Sequence, residues 1–183
     1  SDNWNCVLAG AAMLNRFHGG TLSQDRIAFE VRSRRAKGYA GEIINAQNTG
    51  LPASFTASRI QSELKERAVG PEWGFSYGDG LNTSQTMVAI RFALGSLGTV
   101  RRVADGDELW RLTVAEIDAR RPFLAKSMNH VIVIVGYGMH NGKRVVVANN
   151  PAWGRVIRGV DGFPPANYAF FMPPVSAVGV RQD

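Results

Sequence analysis

The chain has 183 residues, 45% of them apolar, which is enough for one well-filled core and short for two domains. A single cysteine excludes an internal disulfide, and the formal charge of +6 comes from scattered Lys and Arg rather than from a basic stripe, which argues against a nucleic-acid partner. The longest apolar run, HVIVIVGYG, is far below the roughly 18 residues of a membrane helix, so we expect no membrane span, and no signal-peptide pattern opens the printed residues.

The N-terminal part of the chain predicts helices. Residues Val7–Phe17 are nearly all apolar or small and predict a helix buried on most sides, which His18–Gly20 should end. Thr21 and Gln24 have the spacing of a capping box and predict the start of a second, amphipathic helix.

Two further helices are expected before the sequence changes character. Ser58 and Gln61 have capping-box spacing at the start of one, and the other should run over Thr86–Leu97 and end at Gly98. Between them lies a glycine-rich segment, GPEWGFSYGDGLNTS, that predicts a loop between lobes.

The last third of the chain predicts an antiparallel sheet. A short helix is expected to start at a capping box of Thr113 and Glu116 and to end at Pro122. Short β-branched or aromatic runs then follow, bounded by Gly, Asn and Pro: FLAK, HVIVIVGYG, KRVVVA, GRVIR and NYAFFMP. The segregation predicts an α+β fold in one domain, 1–183, with a mainly helical lobe over 1–98 and a mainly β lobe over 99–183.

The lone thiol of Cys6 stands where the predicted buried helix begins. The first-turn amides and the positive end of the helix dipole favour a thiolate, and an imidazolium nearby lowers a thiol pKa further. Cys6 is therefore a candidate nucleophile. The alternative is an inert buried cysteine that serves as a small hydrophobe.

Three histidines are candidate bases. His18 precedes two glycines and His140 lies in the predicted turn GMHNGK, so both are expected to be exposed turn residues. His130 stands at the start of a predicted strand, where a side chain can project into a cleft while the strand stays rigid. A structural histidine at a strand end is the alternative.

Asn149 and Asn150 follow the predicted strand KRVVVA. If this strand pairs through MHNGK with the strand that His130 begins, hairpin geometry brings an asparagine close to His130. A catalytic imidazole needs such a partner on its other ring nitrogen. The alternative is that NNP only ends the strand.

These motifs together resemble the papain-like cysteine peptidase superfamily. Its catalytic histidine commonly begins a strand of the form His, five apolar residues, Gly, Tyr, and the chain matches from His130 to Gly136 and Tyr137. The order Cys, His, Asn is also that of papain. The segments DNWNCVLAGAAML and IDARRPFLAKSMNHVIVIVGYG are similar to small bacterial members, the double-glycine leader peptidase-like and effector-type proteins, whose orienting residue before Pro points to Asn150. The resemblance implies a papain-like two-lobe fold, with Cys6 on a buried helix of the helical lobe and the His and Asn on the sheet lobe.

The resemblance also implies an oxyanion-hole glutamine six residues before the cysteine, a position that falls before the first printed residue. Asn3 or Asn5 is a candidate substitute, and the backbone amide of Cys6 is a further donor. Trp153, in NNPAWG, is expected either to shield the His–Asn hydrogen bond from water or to fill the core.

The resemblance predicts a cysteine peptidase that hydrolyses peptide bonds through Cys6, His130 and Asn150 and a thioester intermediate. We expect no cofactor and no metal, a protein or peptide substrate, and a monomer. The bacterial branch implies an exported or secreted effector. The alternatives are a cysteine-dependent amidase, deamidase or acyltransferase on the same fold, and a catalytically silent peptide-binding module.

Overall fold

The computed structural model describes residues 5–46, 50–65, 80–128, 130–161 and 163–175. These residues form a mixture of helices and antiparallel sheet, as the α+β prediction requires. The predicted site residue Asn3 and most of the glycine-rich segment lie outside the described residues. None of the helices described in these ranges is long and apolar enough to cross a membrane.

The helices and strands follow one another in a largely segregated order. The α-helices are α1 (Cys6–Phe17), α2 (Gln24–Arg32), α3 (Ala40–Asn45), α4 (Ala57–Lys65), α5 (Thr83–Leu94) and α6 (Gly106–Asp118). The strands are β1 (Thr99–Arg101), β2 (Phe123–Lys126), β3 (Val131–His140), β4 (Lys143–Asn150), β5 (Gly154–Gly159) and β6 (Ala169–Met172). Short 3₁₀ helices cover Arg34–Tyr39 and Pro165–Asn167.

All six strands belong to one antiparallel sheet in the order β1-β6-β2-β3-β4-β5. The predicted hairpin between β3 and β4 is confirmed, with His140 paired to Lys143 across a two-residue turn. Asn141 and Gly142 both have positive φ, 50° and 72°, which is the conformation of a type I′ turn and the reason for the Asn-Gly pair. This turn fixes the register that brings the end of β4 back to the start of β3.

The sheet separates two apolar cores. One, which we call the helical-side core, joins α1, α2 and α5 to Leu124, Val131 and Val133 of the sheet. The other, the α6-side core, joins Leu109 and Leu112 of α6 to the residues that alternate with these on the strands, Phe123, Ala125, Ile132, Ile134, Val146 and Ala148 among them. Cys6 belongs to the helical-side core.

Helix α1 lies against the sheet at Gly10. A Cβ atom at this position would be 2.7 Å from Cδ2 of Leu124, a separation that real Cβ atoms essentially never show. Glycine therefore lets the helix backbone approach the side chains of β2 and β3 closely. The helix ends as predicted: Gly19 has φ 84°, and the N–H of Gly20 donates to Asn15 O at 2.8 Å, which is a Schellman motif.

Two predicted N-caps in the helical part are wrong. Helix α2 is capped by Ser23, whose Oγ accepts from Arg26 N–H at 3.2 Å, rather than by Thr21. Helix α4 begins before Ser58, and Thr56 Oγ1 accepts from Arg59 N–H at 3.3 Å. In both cases a neighbouring hydroxyl residue offers the same local chemistry and the tertiary packing selects between them.

The bounds of α5 and α6 also differ from the prediction. Helix α5 begins three residues earlier, at a capping box of Asn82 and Gln85, and ends at Gly95 in the left-handed conformation (φ 82°) instead of at Gly98. Helix α6 begins at Gly106 with Asp105 as N-cap, so Thr113 lies in mid-helix and is fully buried.

Candidate active site

Cys6 is the first residue of α1 and is 6% exposed. Its sulfur is close to three backbone N–H groups, those of Val131 at the start of β3 and of Val7 and Cys6 itself in the first helical turn. The helix therefore directs its free amides at the thiol, as the sequence predicts. Through its contact with Val131, the thiol lies beside the residue that follows His130.

Burial acts against a thiolate at Cys6. Burial raises the pKa of Cys6 above its ordinary value of 9.0, and this effect outweighs the N–H groups of Val131, Val7 and Cys6 and the charge of Lys126, all of which lower the pKa. The expectation considered the helix dipole and an imidazolium but not the loss of hydration in the helical-side core.

The His130 side chain is held at the start of β3 by the loop that precedes it and by β4. Its backbone carbonyl accepts hydrogen bonds from Ser127 N–H at 2.9 Å and from Ser127 Oγ at 3.2 Å. Its Nε2 lies 3.0 Å from Oδ1 of Asn150. The predicted juxtaposition of His130 with an asparagine of β4 is thus present.

The hydrogen bonds of Asn150 fix the tautomer of His130. Asn150 Oδ1 also accepts from Ala152 N–H at 2.9 Å, so this atom of the amide must be the oxygen. His130 Nε2 is then the donor, so in the neutral ring the proton is on Nε2 and Nδ1 has the lone pair that a general base requires. Asn150 is 1% exposed, which protects this arrangement from water.

The two adjacent asparagines have different surroundings. Asn150 shares a strand face with Ala148 and reaches His130, whereas Asn149 lies on the alternate face, paired with Val133 and with Arg155. Of the two, only Asn150 is placed to orient the imidazole.

Trp153 lies beside the His130 ring at the surface. The two ring centroids are 5.8 Å apart with an interplanar angle of 43°. Trp153 is 68% exposed, so it does not fill the core, and that alternative is wrong. The position of Trp153 next to the His130 ring agrees with the other predicted role, shielding the His–Asn hydrogen bond from water.

Asn5 is the oxyanion candidate that the structure describes. It occupies the N-cap of α1, directly before Cys6, but its side chain makes no capping hydrogen bond. Its Oδ1 is buried without a hydrogen-bond partner in the described part of the chain. The amide is therefore not committed to the helix and remains a candidate donor beside the thiol.

The thiol of Cys6 lies close to the backbone of the residue that follows His130. Among the hydrogen bonds of the described residues, none joins the Cys6 thiol to the His130 ring. The link between them runs through the backbone of β3, since the thiol is close to Val131 N–H.

The other two histidines lie away from this site. His18 is the C-cap of α1 and is partly buried rather than exposed, and burial lowers the pKa of its ring. His140 is the exposed last residue of β3 rather than a turn residue. Neither is close to Cys6 in the fold, because α1 separates His18 from the thiol and β3 separates His140 from His130.

One residue of the site escaped the sequence interpretation. Lys126 ends β2 and pairs with Val131, so its side chain shares the strand face of Leu124 and points toward the helical side. It interacts electrostatically with Cys6. The sequence FLAK predicts a strand but not which residues it faces. The proximity of Lys126 to the thiol depends on the pairing register of β2 with β3, which the sequence does not reveal.

A separate cavity of about 430 Å³ lies on the α6 side of the sheet. In this cavity Arg144 pairs with Asp107 at 2.7 Å and with Asp161 at 3.6 Å. Both carboxylates therefore already have a cationic partner. In the described ranges, no group of three or more His, Cys, Asp or Glu side chains is arranged to hold a metal ion.

Comparisons of the chain with protein-family models, with curated proteins and with solved structures found no match.

Proposed function

We propose that the chain is a papain-like cysteine peptidase in which Cys6 is the nucleophile, His130 the base and Asn150 the residue that orients the base. The observation that carries the proposal is the hydrogen bond of 3.0 Å between His130 Nε2 and Asn150 Oδ1, together with a thiol at the start of a buried helix that lies close to the N–H of Val131, the residue after His130. The resemblance in sequence around Cys6 and from His130 onward supports the same assignment.

The raised pKa of the Cys6 thiol favours proton transfer to a general base over a preformed thiolate and imidazolium pair. His130 Nδ1 accepts the thiol proton as the sulfur attacks the peptide carbonyl, and a C–S bond forms. The oxyanion collapses, the C–N bond breaks, and His130 returns the proton to the leaving amine. Water, deprotonated by His130, then cleaves the thioester to release the acid and restore the thiol.

Backbone and side-chain donors at the start of α1 would stabilise the oxyanion. The N–H of Cys6 lies in the first helical turn, where the helix itself offers no acceptor, and the Asn5 side chain makes no capping hydrogen bond. Removing a single oxyanion donor typically costs on the order of 10² to 10³ in rate, so Asn5→Ala tests whether its amide contributes.

A catalytically silent peptide-binding module is the second candidate. It is favoured by the burial of the Cys6 thiol, which raises its pKa, and by the missing hydrogen bond between Cys6 and His130. In such a module the Asn150–His130 pair would serve only to fix the loops at the ends of β3 and β4.

Incubation of the protein with a peptide library, followed by mass spectrometry, separates the candidates. A peptidase generates new peptide termini, whereas a deamidase shifts masses by about one dalton and an acyltransferase forms new amides or esters. Cys6→Ala and His130→Ala should each abolish the new termini while circular dichroism stays unchanged. His140→Ala is the matched control, because His140 is exposed at the far end of β3. Cleavage that persists in His130→Ala would contradict the proposal, and an unaltered library would favour the silent module.

A further inference from the structure

Lys126 lies on the same side of the sheet as the Cys6 thiol. It ends β2 and pairs with Val131, the residue whose backbone N–H is close to the thiol. Alternation along β2 places its side chain on the face of Leu124, which packs in the helical-side core with Cys6. The register of one hairpin thus brings a lysine to the nucleophile.

The side chain of Lys126 is partly buried and forms no close ion pair with any residue that the structure describes. Its hydrogen bond to Ser127 O is long, at 3.4 Å. Among the described residues, no carboxylate lies within 4.0 Å of it. Glu63 is the nearest acidic influence, but its oxygens are engaged by Arg59 at 3.0 Å and by Ser84 Oγ at 2.6 Å.

Such a cation is costly unless an anion forms beside it. Burial lowers the pKa of Lys126, Cys6 and Glu63 raise it, and Arg102 lowers it again. A partly desolvated ammonium without an ion pair is destabilised relative to one in water. Glu63 already has its own partners, so among the described residues that influence Lys126 the group that can become negative and pair with it is the thiol of Cys6.

We propose that Lys126 is the cation that stabilises the Cys6 thiolate as it forms during the reaction. It acts through Cys6 and is a positioning residue rather than a catalytic one. The inference rests on the proposed function for its biological meaning, but not for its test. The charge of Lys126 offsets part of the free-energy cost that burial imposes on the thiolate. The barrier to proton transfer from the thiol to His130 is therefore lower.

The pH dependence of Cys6 alkylation by iodoacetamide, followed by mass spectrometry, tests the inference without any substrate. In Lys126→Met we expect the midpoint of the alkylation profile to move upward and the rate at pH 7 to fall by about three- to tenfold. Lys126→Arg keeps the charge and should restore most of the wild-type profile. Lys143→Met removes an exposed lysine at the start of β4 and should leave the profile unchanged.

The result that would overturn the inference is a midpoint that is the same in Lys126→Met as in the wild type. Equal upward movement in Lys126→Met and Lys126→Arg would also overturn it, because the charge would not be the cause. Thermal unfolding of each variant identifies any loss of structure, and Lys126→Gln is a second neutral variant if Lys126→Met is unstable. A moved midpoint in a protein that cleaves no peptide would uphold the inference while contradicting the proposed function.

Discussion

Replacing Asn150 by alanine should release the His130 ring from its fixed tautomer. The side chain accepts two hydrogen bonds, from Ala152 N–H at 2.9 Å and from His130 Nε2 at 3.0 Å, and is 1% exposed. With a net value of about 1 kcal/mol for the bond to His130, its loss changes the tautomer ratio about fivefold. The free energy of unfolding should fall by about 1–3 kcal/mol, because two hydrogen bonds worth about 0.5–1.5 kcal/mol each are lost, to His130 and to the N–H of Ala152.

The tautomer is measured from the ¹⁵N chemical shifts of the His130 ring in two-bond ¹H–¹⁵N correlation spectra. The wild type should show protonated Nε2 and unprotonated Nδ1, and Asn150→Ala should show averaged shifts. Peptide cleavage should fall on the order of 10²-fold, the typical cost of a misplaced catalytic group. Asn149→Ala is the matched control, because Asn149 lies on the other strand face. Unchanged ring shifts in Asn150→Ala would refute the reasoning.

Three further predictions follow from packing and burial. Gly10→Ala should lower the free energy of unfolding by up to about 2 kcal/mol in denaturant titrations, because overpacking against the sheet exceeds the gain in helix propensity. Gly41→Ala in α3 is the control: a Cβ there would have nothing within 4 Å, so the substitution should be neutral or stabilising. Burial raises the pKa of the Cys6 thiol, so ionisation of the thiol favours the unfolded chain. In thermal melts from pH 7 to 10, the stability of the wild type should therefore fall relative to that of Cys6→Ala as pH rises past 9.0. Parallel stability curves for the two proteins would contradict this. Trp153→Ala should change the free energy of unfolding by less than about 0.5 kcal/mol, because Trp153 is 68% exposed. The substitution should nevertheless speed solvent exchange of the His130 Nε2–H, as measured by NMR. Unchanged exchange would contradict the shielding role of Trp153.

The strands were easier to predict than the helix bounds. Short β-branched runs between turn residues identified β2 to β6, because a strand needs only a local pattern and a boundary. Strand β1 has three residues and exists through its pairing with β6, so no local pattern indicates it. Helix α6 shows the opposite difficulty: Asp105 and Thr113 both precede a glutamate at capping spacing, and only the tertiary structure selects Asp105.

The candidate site divides in the same way between local and distant contacts. The Asn-Gly turn allowed the proximity of His130 and Asn150 to be predicted, since a hairpin fixes its own register. The position of Cys6 against Val131 depends on how α1 packs on the sheet at Gly10, a contact between distant segments. Burial of the thiol and the resulting rise in its pKa follow from that packing, so no pattern around Cys6 predicts them.

The most direct test of the nucleophile is site-mapped trapping of Cys6 by an E-64-like epoxide at neutral pH. The account predicts modification at Cys6 that slows by about 10² or more in His130→Ala, because the base must take the thiol proton. Asn150→Ala should slow it less. Modification at equal rates in the wild type and in His130→Ala, or none in either, would contradict the assignment of Cys6 and His130 as nucleophile and base.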